Sequence, residues 1–236
     1  MKSSMKKSKA VVLAFLVQVL ISAATLPARA QPPTPYASMA PLDQYLMSDE
    51  NSEITLARSA APASISDNAE IMVLAPNGFK TAVKGTNGFL CLVGRSWSQA
   101  IDNPEFWNPK IRAPHCLNPQ AARTFAPIFL MRTKLVLAGK SKAEVLEATT
   151  AALDSKELPA LEPGAMAYMM SKQQYINDGA RNWHSHVMFY VSGDTTKSSG
   201  GNLPGSPVIA VSDTEARVTV LMVWASKWSD GTPAPF

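Results

Sequence analysis

Short apolar runs of strand type lie on both sides of a single helical block, and this order constrains the fold more than any other feature of the 236-residue chain. The first set spans Ile71–Leu74, Phe79–Lys84 and Phe89–Val93. The second set spans Ala165–Met170, Trp183–Val191, Pro207–Val211 and Arg217–Trp224, with a glycine- and serine-rich loop from Gly193 to Gly201. Strands, then helices, then strands again predict an α+β single domain with a mainly antiparallel sheet.

The helical block carries its own punctuation. Asn118 caps a helix with Pro119 at its first position, running through Phe125, Phe129 and Leu135 to Ala138, where Gly139 ends it; Pro127 should kink it or delay its start. Ser141 and Glu144 form a capping box that opens a second helix with Val145, Leu146, Thr149, Ala152 and Leu153 on one stripe, so the pair is a helical hairpin. Two Asn-Gly steps, Asn77-Gly78 and Asn87-Gly88, predict that the first three strands form an antiparallel meander with Cys91 pointing into the core. Residues 95–117, with Trp97, Trp107, Pro104, Pro109 and Pro114 and no sustained period, read as a packed loop.

The N-terminus sets the compartment. Residues 1–9 are basic, 10–22 are an uncharged apolar run, and Ala28-Arg29-Ala30 has the small-x-small form of a cleavage site, so residues 1–30 read as a signal peptide cleaved after Ala30. Removing their five cations from 22 Lys+Arg leaves 17 against 18 Asp+Glu, a net charge of −1. Such a chain has no net-charge drive toward nucleic acid, and with no later membrane span it should be periplasmic or secreted. In an oxidising compartment its only two cysteines, Cys91 and Cys116, are expected to form a disulfide. Residues 31–66, rich in Pro, Ala and Ser with one helix-like stretch from Ser48 to Ala60, read as a peripheral arm, and 67–236 as the domain.

Chemistry concentrates in Trp183-His184-Ser185-His186-Val187-Met188-Phe189-Tyr190. On a strand, Ser185, Val187, Phe189 and Val191 form one face, expected to be the core face. His184, His186, Met188 and Tyr190 form the other, expected to be open to a ligand. Two imidazoles about 7 Å apart along a strand suit a zinc or copper ion, and Met188 adds a soft thioether, with Met166, Met169 and Met170 on a neighbouring strand. His115 has no evident neighbour. Asp230, in Ser229-Asp230-Gly231, is either a turn residue or a carboxylate orienting a histidine. Gly94-Arg95-Ser96-Trp97-Ser98 lacks the second glycine of a nucleophile elbow, and Lys134 stands where a phosphate loop ending in Gly139-Lys140-Ser141 needs its first glycine.

The tract from Gly164 to Met169, Trp183 to Phe189 and Trp228 to Thr232 resembles a group of exported bacterial proteins with no assigned activity. The resemblance implies export and a single domain, and transfers no catalytic residue. The expected function is a small-ligand or partner-binding domain, with His184, His186, Tyr190 and Trp183 as ligand residues. The alternatives are a zinc-type metal-dependent enzyme, in which His184 and His186 hold the ion and a carboxylate or His115 completes it, or a copper-binding protein with His184, His186 and Met188 as metal ligands.

Overall fold

The computed structural model describes residues 35–235. The expected signal peptide and the start of the expected arm lie outside the described residues. The strands are β1 (Glu70–Ala75), β2 (Gly78–Val83), β3 (Leu90–Gly94), β4 (Ala113–Leu117), β5 (Met166–Met169), β6 (His186–Ser192), β7 (Val208–Asp213) and β8 (Val218–Trp224). They form one sheet in the order β2-β1-β3-β4-β5-β6-β8-β7, antiparallel except between β1 and β3. With helices α1 (Glu50–Arg58), α2 (Ala63–Ser66), α3 (Pro119–Thr124), α4 (Ala126–Leu137) and α5 (Lys142–Asp154), this is the expected α+β domain.

The helix signals act as read. The Asn118 side chain accepts from Ala121 N at 3.0 Å, and both halves of the Ser141/Glu144 capping box are made. Helix breaks at Phe125, just before Pro127, so the expected long helix is two, α3 and α4. Proline lacks the N–H that would have continued the ladder through that turn.

Three local readings are corrected. β1 and β2 do form a hairpin, closed at Ala75 and Gly78, but β3 pairs with β1 in parallel instead of completing a meander. Residues 84–89 cross back past the start of β1: Thr86 N donates to Asn68 O, and Glu70 N to Phe89 O, each at 2.8 Å. A Cβ at Gly85 would lie 2.1 Å from Glu70 N, so only glycine permits the crossing, and the second Asn-Gly step turns the chain there instead of closing a hairpin.

The end of the expected packed loop, 113–117, is strand β4, although a proline such as Pro114 is unusual in a central strand. Its ladder to β5 covers only Cys116 and Leu117, so Pro114 lies beyond the region where β5 needs a donor. Cys91 and Cys116 are direct cross-strand neighbours and are joined by a disulfide, both fully buried.

The supposed arm is part of the core. Tyr45 and Ala57 are fully buried, and Leu56, Ala60 and Ala61 pack with Ile71, Cys91, Val93 and Cys116. Small side chains there bring α1 close to the sheet, and the alanine-rich composition signals that approach, not flexibility. Glu53 of α1 pairs with Arg95 at 2.9 Å in the interior. Arg95 also donates to Tyr45 O and Val93 O, and Glu53 accepts from Leu74 N. On the opposite face α3 and α4 cover Leu90, Ala113, Leu117, Ala167, Met169, Met188, Tyr190 and Met222.

Breaking a buried pair from one side leaves an uncompensated charge. Glu53→Gln is therefore expected to cost about 3–5 kcal/mol in urea denaturation, and Glu53→Leu with Arg95→Met distinctly less. A Glu53→Gln loss below about 1 kcal/mol would contradict a structural role for this pair.

Candidate functional site

β6 begins at His186, so Trp183, His184 and Ser185 precede the strand. The alternation of its side chains is as expected, but the assignment of faces is reversed. His186, Met188 and Tyr190 are buried, whereas Phe189 is 39% exposed and Val187 and Val191 are half-buried. The physical reason is the position of α4. Phe125, at its N-terminal end, stacks on Tyr190 with ring centroids 4.0 Å apart, and Phe129 lies edge-on to Phe125 at 5.2 Å. α1 packs on the other face mainly over β1, β3 and β4, away from Phe189.

The expected site residues therefore separate. The His184 ring is half-exposed; its Nδ1 lies 3.2 Å from the Pro235 carbonyl, and it leans on Trp224 at 4.9 Å. The His186 ring, fully buried, meets Trp183 edge-on at 4.9 Å and Trp224 at 5.8 Å. Met188 pairs across the sheet with Met222 and Ala167 inside the core. Tyr190, four residues beyond His186 and so about 13 Å along the strand, belongs to the Phe125 contact instead. Burial, with the Asp213 charge as a smaller cause, drives its hydroxyl pKa far upward. Asp230 caps its own turn through Thr232 and pairs with Lys172 at 2.7 Å, which leaves the plain turn reading in place.

The topology assembles a different set. His115 of β4 lies opposite Leu92 of β3, and Cys116 and Leu117 lie opposite Tyr168 and Ala167 of β5. Carrying that register on by one residue sets His115 opposite Met169. Met169 in turn faces His186, and His186 faces Trp224. His115, Met169, His186 and Trp224 thus form one row across four strands, and the first three are at most 8% exposed. Sequence reasoning offered His115 only as one possible completion of a His184/His186 site, because nothing local links it to His186; the connection runs through two strand pairings.

The two histidines share a hydrogen-bonding habit. His115 Nδ1 is 2.8 Å from Ala113 O, and His186 Nδ1 is 2.7 Å from His184 O. A carbonyl only accepts, so each Nδ1 carries the proton and each Nε2 keeps a lone pair. His186 Nε2 is buried with no hydrogen-bond partner. β4 and β6 both run antiparallel to β5, so the two rings, each tied to the carbonyl two residues earlier, lean toward the same end of the sheet.

Burial holds both imidazoles neutral. His115 is pushed down to about 4, mainly by desolvation and slightly by His186, against a smaller opposing effect of the Ala113 carbonyl. His186 is lowered by desolvation first, with the His184 carbonyl opposing and the His184 ring adding to it.

Chemically, the row offers two neutral nitrogen donors and one thioether. No group of three or more His, Cys, Asp or Glu side chains suited to a metal ion is found among the described residues, so the zinc-type alternative gains no support from a carboxylate or third imidazole. Two surface hollows, of about 610 Å³ beside Tyr36, Trp107 and Lys140 and about 410 Å³ beside Phe125, Leu158 and Val218, are lined by other residues. Neither a protein-family model nor a curated protein nor a solved structure matches the chain.

The depressed histidines fix the sign of a pH dependence. A folded pKa of about 4 against an ordinary 6.5 means stability that is complete above about pH 6.5 and is lost as the pH falls through about 4. For His115 this amounts to about 3 kcal/mol. Denaturation midpoints should fall over this range for the unmodified chain and fall less for His115→Gln; equal slopes for the two would show that His115 is not buried neutral.

Proposed function

We propose that the chain works outside the cytoplasm as a metal-binding protein whose interior site consists of His115, Met169 and His186. The observation that carries this reading is the buried, unpartnered Nε2 of His186, on a ring whose Nδ1–H is already committed to a carbonyl. An orphaned buried acceptor costs about 1–3 kcal/mol, which a bound ion would offset. Metal-ligating histidines are held in this way, with the far nitrogen donating to a backbone or carboxylate oxygen and the near one free for the ion. His115 and His186 sit two strand spacings apart, about 10 Å between backbones. Turned over Met169, the two imidazoles would span such a gap through one ion with metal–nitrogen bonds of about 2 Å. Met169 lies between them. The buried disulfide supports an oxidising compartment.

This reading keeps His186 from the expected pair and replaces His184 and Met188 by His115 and Met169. Elemental mass spectrometry on residues 31–236, purified oxidised and without chelator, tests it. One equivalent of a soft transition metal is expected, retained in His184→Ala and lost when His115→Gln and His186→Gln are combined. No retained metal, or metal that survives the double substitution, contradicts it.

A second reading, a partner-binding domain, is favoured by the apolar sheet face at Val187, Phe189, Val191, Leu221 and Val223, where Phe189 is among the most exposed large apolar side chains. Photo-crosslinking from position 189 in the exporting cell should then give one discrete adduct, and a smear or none speaks against it.

A further inference from the structure

The hollow of about 410 Å³ beside Phe125 lies by Ser192, at the opposite end of β6 from His186. Its apolar walls belong to the main core. Phe125, Ile128, Leu158 and Val218 are each at most 6% exposed, and the half-buried Leu153 and Leu161 pack against the same cluster. A cavity of this size is ordinary for a small-molecule ligand. Among the described residues, two cations line it, Lys156 and Arg217, and no carboxylate does. Both are exposed, so the charge stands at the rim and the apolar surface beneath it. Asp154 holds Arg217 at 2.6 Å, whereas Lys156 makes no ion pair among the described residues.

The backbone at both cations is unusual. Lys156 follows the end of α5 with a φ of 63°, and Arg217 stands in the turn between β7 and β8 with a φ of 58°. Glycine adopts this left-handed conformation without strain, and a long side chain does not. α4 ends in the usual way, with Gly139 just past its cap at a φ of 77°. α5 carries a lysine at the corresponding position, where glycine is the common choice. Four non-glycine residues among those described have such a backbone, and two of them are the cations of this one hollow. Residues held in sparsely populated conformations concentrate at ligand clamps and active sites.

Independently of the interior row, we infer that this hollow binds a free medium-chain alkyl carboxylate, with the chain against Phe125, Ile128 and Leu158 and the head group between Lys156 and Arg217. The match is complementary at both ends. Burial of the chain supplies the affinity, and charge-assisted hydrogen bonds from the two cations fix the orientation. A cationic amphiphile of the same length gains the first and is repelled by the second.

Equilibrium dialysis of the purified protein against radiolabelled decanoate, below its micellar range, tests the proposal, with labelled decyltrimethylammonium as the control of opposite charge. One decanoate per chain is expected, bound about fourfold more tightly than nonanoate because one more methylene is buried. Decyltrimethylammonium should bind weaker by about tenfold or more. Ala160 is an exposed lining residue, so Ala160→Trp fills the hollow from its rim and should weaken decanoate by about tenfold or more. Lys156→Gly should have two opposite effects. It removes a head-group contact, which weakens decanoate about tenfold. It also relieves the backbone, which raises the thermal midpoint by about 2–4 °C. Decyltrimethylammonium bound as tightly as decanoate overturns the anion specificity. Full affinity in Ala160→Trp overturns the location, and full affinity in Lys156→Gly overturns the role of that cation. No decanoate retained by the unmodified protein overturns the proposal outright.

Discussion

The interior ion pair of Glu53 and Arg95 is the constraint on which the remaining architecture depends. Arg95 follows β3 directly, and its guanidinium reaches Tyr45 O, Val93 O and Glu53, while Glu53 also takes Leu74 N of β1. One pair thus joins α1, the preceding segment and two strands that are parallel neighbours. Desolvating two charges is tolerable only because each finds further hydrogen bonds. The disulfide then extends the arrangement by one strand. Cys91 of β3 and Cys116 of β4 are bonded in register, so the position of β3 determines that of β4, and His115 is adjacent to Cys116. Closing a loop over a separation of 25 residues contributes about 3–4 kcal/mol in the chain-entropy picture. The row of His115, Met169 and His186 is therefore held from one side by covalent and ionic links and from the other by the long β6–β8 ladder.

What was legible in the chain was what local chemistry decides. Asn118-Pro119 and Ser141-Glu144 mark helix starts because cap hydrogen bonds span only three residues. The period-2 pattern of β6 and β8 was equally plain. Which side of β6 faces the core was not, because Val187, Phe189 and Val191 are as apolar as a core face. The answer lies in where α4 and α1 happen to sit. The parallel pairing of β1 with β3 was hidden for the same reason: Asn87-Gly88 turns the chain, but only the clearance at Gly85 against Glu70 shows that the turn is a crossing. Alanines at 57, 60 and 61 look like linker composition until a sheet is placed against them. His115 was a candidate third ligand from the chain alone, but its relation to His186 needed the full strand order.

The site is also where the structure departs from simple core design. Two histidines and a methionine occupy positions that aliphatic side chains would fill without leaving an acceptor unsatisfied. Burial keeps both rings neutral, the state in which a ring nitrogen binds a metal ion, and the carbonyls of Ala113 and His184 select the tautomer that leaves Nε2 free. Local departures of this kind concentrate at functional positions. At the end of the same row two half-exposed tryptophans pack on each other and on His186, and Trp183 also packs against the main core.

X-ray absorption at the metal edge of the loaded protein bears most directly on the central claim. The account predicts a low-coordinate shell of two imidazole nitrogens and one sulfur, with the sulfur contribution lost in Met169→Leu and one nitrogen lost in His115→Gln. A shell of oxygen and nitrogen with no sulfur, or one unchanged by both substitutions, would place the ion elsewhere and contradict it.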